Sequence, residues 1–257
     1  LNLGSGVDAW MGATGFAPET LALAALMVFC AALVRGLTGF GMAIILVPLL
    51  GMLMAPDRAV ILGILLQLLI GPAGLPQIFA NAQRVSALSI AAVAMAATPL
   101  GLAALFWTPP EIARLLIALI AIGSFVAVLL PPRRSEVPLG AAAIGFTGLA
   151  SGLLTGFAAM PGPPVIPFYL RQPLEPVVAR ASMMLVFFGT AIAGSLAAAL
   201  MGRAGWHDLG LAVLFYGPMW LGNHLGGRAF GRIAPPLWRS AVAGLLGIAA
   251  LSAVLRL

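Results

Sequence analysis

Polar chemistry is scarce in this sequence. Its 257 residues include seven acids, two histidines, one cysteine and no lysine, and each shortage removes a class of function. A lone Cys30 cannot close an internal disulfide, and its place inside an apolar run fits packing better than reactivity. Two histidines and one cysteine cannot complete a closed zinc site without carboxylates. The acids Asp8, Glu19, Asp57, Glu111, Glu136, Glu175 and Asp208 all fall at predicted helix ends or loops, leaving no carboxylate pair inside an apolar segment for an intramembrane enzyme. Without lysine there is no Walker A sequence, which excludes ATP-driven work by this chain alone. No enzyme activity, cofactor or metal is expected.

What is present is apolar. Hydrophobic residues make up 62% of the chain and charged residues 8%, so a water-soluble fold would lack the polar side chains to cover its surface. Uncharged stretches run over 20–34, 36–56, 59–83, 85–110, 115–132, 137–170, 181–202, 209–227 and 240–255. Most reach the roughly 18 to 20 residues that carry a helix across about 30 Å of hydrocarbon. They lack the period-two alternation of barrel strands. All 13 basic residues are arginines, and they stand singly or in pairs between the apolar stretches. That spacing suits membrane flanks and lipid headgroups, and with no basic stripe among aromatics nucleic acid is not an expected partner. The sequence predicts an all-α polytopic protein of the cell inner membrane. Residues 1–18, Gly-rich and without a basic n-region, read as a leader or flexible N-terminus.

The chain repeats itself. Gly36-Leu37-Thr38-Gly39-Phe40 returns as Gly152-Leu153-Leu154-Thr155-Gly156-Phe157, with one residue inserted. Pro48 matches Pro167, Pro56 with Ala59 matches Pro176 with Ala179, Pro99 matches Pro218, and Pro109-Pro110 with Arg114 matches Pro235-Pro236 with Arg239. Colinear matches along the whole length indicate two homologous halves, 19–132 and 137–257, of about four membrane elements each, joined by a polar linker at 133–136.

The first element of each half is broken. Residues 19–55 as one helix would be about 55 Å long, too long for one crossing, and Thr38-Gly39-Phe40-Gly41 interrupts them. In the second half, Thr155-Gly156 followed by Pro161-Gly162-Pro163-Pro164 defeats continuous helix, because proline lacks the N–H and clashes with the preceding turn. Unsatisfied backbone is costly in hydrocarbon, so such breaks persist only beside protein or a watery cavity. Paired breaks at matching places in two halves point to a transporter binding site. If the broken elements cross, the halves are parallel. If they re-enter, the halves are inverted, and the flanking arginines divide eight against four, with Arg84, Arg133, Arg134, Arg171, Arg180, Arg228, Arg232 and Arg239 opposite Arg58, Arg114, Arg203 and Arg256. The inverted arrangement fits the positive-inside rule better, with the larger group cytoplasmic.

A Gly-rich break followed by an apolar stretch ending in proline, once per half, with a Pro-Pro helix start before an arginine, resembles the TauE/SafE family. These membrane proteins are linked to sulfite, sulfoacetate and other organosulfonates, and are also called toluene-sulfonate uptake permeases. The resemblance covers residues 20–256. A typical member has three successive glycines where this chain has Gly39-Phe40-Gly41 and, in the second half, Gly156 to Gly162. The resemblance implies a carrier of small anions, sulfite or organosulfonates, embedded among membrane lipids. An anion channel and a structural scaffold are the alternatives, and a homodimer stays open.

Arg35 stands just before the first break, between two apolar runs. An arginine at mid-membrane depth costs roughly 2.5 to 3.5 kcal/mol on insertion scales, so it faces a cavity or a partner. It reads either as the cationic anchor of an anion, helped by free N–H groups at a half-helix start, or as a snorkelling or carbonyl-bonding arginine. Ser151 stands at the matching place in the second half. The candidate binding set is Arg35, Thr38, Gly39, Phe40, Gly41, Thr155, Gly156, Phe157, Met160, Gly162, Gln67 and Asn223. Gln67 serves equally as a bond between helices. His224 is the candidate for a coupling proton or a packed histidine, while Gly222 and Gly226 allow close helix packing. Tyr169 and Trp220 read as packing or interfacial residues, and His207-Asp208 as a solvated loop pair.

Overall fold

The structure is a computed structural model that describes residues 16–72, 74–129 and 140–229. The 133–136 linker, most of the expected leader, the crossing expected at 240–255, and Pro235, Pro236 and Arg239 lie outside the described residues. Within them every regular element is a helix: α1 (Pro18–Thr38), α2 (Met42–Leu50), α3 (Pro56–Ile70), α4 (Leu75–Asn81), α5 (Arg84–Trp107), α6 (Pro110–Leu129), α7 (Ala141–Ala158), α8 (Gly162–Arg171), α9 (Pro176–Leu200), α10 (Trp206–Leu214) and α11 (Tyr216–Ala229). Proline opens α1, α3, α6 and α9, where its missing N–H costs nothing. Four helices, α1, α5, α7 and α9, are long and apolar enough to cross a membrane, and α3 with α4 makes a fifth candidate bent by 83°.

Glycine seams set the packing. Methyl groups added at Gly148, Gly152 and Gly156 of α7 would strike α5 at Ile90 to Val93, Ala94 to Ala97 and Thr98 to Leu102. Added at Gly222 and Gly226 of α11, they would strike α1 at Phe29 and Leu33. Small residues on one face let backbones approach within a side chain's width. The expected Gly222 to Gly226 packing is observed. Both series ascend together, so α7 runs parallel to α5 and α11 parallel to α1. In contrast, Ile64 meets Gly194 and Gly71 meets Phe188, so α3 and α9 run antiparallel.

The polar ends of the helices gather into two groups. At one end Arg58 pairs with Asp208 at 3.7 Å, the Arg203 guanidinium lies 4.6 Å over the Phe106 ring, and Arg114 Nε donates to the Gly51 carbonyl at 3.3 Å. At the other, Ser86 in the first turn of α5 bonds the Tyr169 hydroxyl at 3.1 Å, and Ser182 Oγ accepts from the Gln83 N–H at 2.8 Å.

Four expectations need correction. The stretch 209–227 is divided between α10 and α11 at Phe215, and 59–83 bends after Ile70. Asp208 is not in a solvated loop but 8% exposed at the start of α10, where its carboxylate accepts the Gly205 N–H at 3.0 Å and faces Arg58. Thr155 and Gly156 stay helical, and the second interruption falls at 159–161, because Gly156 is committed to the seam with α5. The described acids other than Glu175, the residue before α9, sit in first helical turns, where the helix dipole favours negative charge.

Candidate functional site

The first break is built by two glycines. Gly39 (φ 84°) and Gly41 (φ 88°) adopt the left-handed region that only glycine enters freely, which turns the chain between α1 and α2. The Thr38 hydroxyl donates within the break, with the Phe40 carbonyl 2.7 Å away and the Val34 carbonyl 2.9 Å away, and it accepts the Phe40 N–H at 3.1 Å. The second break turns at Ala159, a non-glycine at φ 56°. The N–H groups of Ala159 and Met160 return to the carbonyls of Thr155 and Leu154, and Ser151 Oγ donates to the Pro161 carbonyl at 3.0 Å.

Carbonyls freed by each break are bonded by side chains from helices remote in sequence. Gln67 Nε2, on α3, donates to the Ala159 carbonyl at 3.0 Å. Arg180 Nη2, on α9, donates to the Gly36 carbonyl at 3.0 Å. Buried polar backbone that has lost its helical partner must find another, and these side chains provide it.

Between the breaks lies a small cleft whose empty space, counted out to its open mouth, is about 300 Å³. Phe40 to Ile44 line one side and Met160 to Gly162 the other, with Arg35, Gln67 and Phe187 between. Gln67 and Phe187 each stand eleven residues after a helix-opening proline, Pro56 or Pro176.

Both short helices start at this cavity, but their first turns differ. In α2 the N–H groups of Met42, Ala43 and Ile44 have no partner within the helix, and Ile45 makes the first return bond, to the Gly41 carbonyl. In α8 the corresponding turn is Gly162-Pro163-Pro164, whose prolines carry no N–H. The free N–H donors therefore concentrate at α2, while both helices present the positive end of a dipole. Arg35, 8% exposed, adds a full positive charge. Its Nη1 donates to Asn223 Oδ1 at 2.8 Å, a neutral partner, and no acid among the described residues pairs with it.

Of the sequence candidates, Arg35, Phe40, Gly41, Gln67, Met160 and Gly162 meet at the cavity. Thr38 and Gly39 shape the first break, and Asn223 orients Arg35. The Thr155 hydroxyl donates within its own helix, Gly156 faces α5, and Phe157 packs on the core. His224 lies on the outer face, its ring stacked on Trp220 at 5.1 Å. Tyr169 is buried, as a packing residue would be. Sequence reasoning missed Arg180, counted only as a flanking charge, although its place five residues into a proline-started apolar helix was a signal. It also missed Phe187, for which the spacing from a proline that it shares with Gln67 was the available clue.

Taken together, these features define a multi-pass α-helical membrane protein with two broken helices opposed across a small cationic cavity. Residues 24–253 match the family described as Sulfite exporter TauE/SafE, and the chain belongs to that family. No curated protein and no solved structure gives a significant match.

Proposed function

We propose that this protein carries a small anion, sulfite or an organosulfonate such as sulfoacetate, across the cell inner membrane by alternating access around the cavity between the breaks. The observation that carries this reading is the convergence of Arg35, held by a neutral amide, and the first-turn N–H groups of α2 on one cavity. An anion entering a low-dielectric site needs donors already oriented there, and these donors meet that need with no acid among the described residues lining the cavity.

Halves 19–132 and 137–257 act as inverted repeats in this proposal. The antiparallel run of α3 and α9, whose opening prolines match in the repeat, supports it. So does the course of each broken element. α2 leads to Gly51 beside Arg114 at the end where α3 starts, and α8 leads to Tyr169 beside Ser86 at the end where α5 starts. Each broken element then enters and leaves on its own side, and the pair rocks about the shared cavity.

Flux into proteoliposomes tests the mechanism. A carrier saturates with sulfite or sulfoacetate and shows counterflow of labelled substrate. Current proportional to concentration, without saturation, would instead make the protein an anion channel.

A further inference from the structure

We propose that Arg180 is a positioning residue for the anion site, acting through the first break. This rests on the carrier reading above and adds to it a residue outside the cavity lining. Arg180 belongs to α9 of the second half, yet its side chain is spent on the first. Nη2 donates to the Gly36 carbonyl in the last turn of α1, and the aliphatic stem covers Gly39 so closely that a Cβ there would lie 2.5 Å from Arg180 Cγ. Gly36 is adjacent to Arg35, and Gly39 opens the turn that aims the α2 N–H groups at the cavity.

The residue thus fixes both sets of donors from one side. A charged donor satisfies a carbonyl left free at a helix C-terminus, where the dipole also favours positive charge. The stem excludes any side chain at residue 39, which keeps the left-handed turn. Gln67 makes the reciprocal bond in the other direction, from the first half to Ala159. Each half therefore holds the other's break, so movement between the halves changes the donors' geometry at the moment the site changes sides.

The test compares the full chain with Arg180→Met, Arg180→Lys and Gly39→Ala, each shown to be monodisperse. Two quantities are measured: hydrogen exchange of the backbone across residues 37–44, and the dissociation constant for sulfite. Arg180→Met keeps the stem but loses the bond. Exchange across 37–44 should rise at least about tenfold, and the dissociation constant should rise by about tenfold, the value of one charge-assisted bond. Arg180→Lys should recover part of both effects. Gly39→Ala strains the left-handed turn itself, whatever Arg180 does, so it serves as the positive control for an opened break.

Unchanged exchange in a folded Arg180→Met protein would overturn the proposal. Raised exchange with unaltered sulfite affinity would also overturn it, by separating the break from the site. If Arg180→Met does not fold, the Arg180→Lys result decides by the same two criteria. A parent that binds no anion sinks the carrier reading and the anion role together, whereas a binding parent with unchanged exchange in the Arg180 variants sinks only the role of Arg180.

Discussion

At the residue scale, two charged groups near one break have different tasks. Arg35 lines the cavity and is held by a neutral amide, whereas Arg180 bonds a backbone carbonyl. The sequence pointed to Arg35 because it interrupts an apolar run. The place of Arg180 inside a proline-started helix set it apart from a flanking charge, but its target, the Gly36 carbonyl, lies 144 positions away in the chain and is not legible from spacing. Gln67 makes the bond between helices that was one alternative read from the sequence, here to the second break, and it also lines the cavity. Gln67→Leu should leave the Ala159 carbonyl without its partner and destabilise the protein by about 1 to 3 kcal/mol, seen as a lower thermal midpoint in detergent. An unchanged midpoint would mean that the second break is held by Ser151 and its own turn.

At the element scale, the two breaks were legible to different degrees. Gly39 and Gly41 are needed for positive φ, so the first interruption lies where the sequence put it. The second falls after Gly156, because glycine there serves close packing and not a turn, and sequence alone does not separate those uses. The seams give a direct prediction. A side chain at Gly156 would strike the backbone of α5 at Thr98, Gly101 and Leu102, so Gly156→Val should abolish monodispersity or lower the thermal midpoint sharply. Gly145→Ala, with nothing within 4 Å of the added carbon, should be neutral or slightly stabilising. Equal tolerance at both sites would contradict the packing described for α5 and α7.

At the scale of the whole molecule, the internal repeat pointed to paired breaks, but it could not assign partners across the halves. That α1 packs on α11 and α5 on α7 depends on glycines whose facing backbone is remote in sequence. Re-entrance of the broken elements has its own test. In a Cys30→Ser background, Glu19→Cys and Arg58→Cys should react with an impermeant thiol reagent from one side of the membrane, and Gly140→Cys and Arg171→Cys from the other. Labelling of Gly140→Cys and Arg171→Cys from opposite sides would mean that the second broken element crosses.

The central claim is that the cavity between the breaks binds an anion through the charge of Arg35, and equilibrium binding tests it most directly. Titrating purified parent and Arg35→Gln protein with sulfite and sulfoacetate isolates that charge, because glutamine retains hydrogen bonding while removing it. A charge-assisted bond contributes roughly 1.5 to 3 kcal/mol, so the dissociation constant of a monodisperse Arg35→Gln protein should rise about tenfold to over a hundredfold. Equal affinity in the two proteins would contradict the account and make Arg35 a structural residue of the α1 to α11 seam.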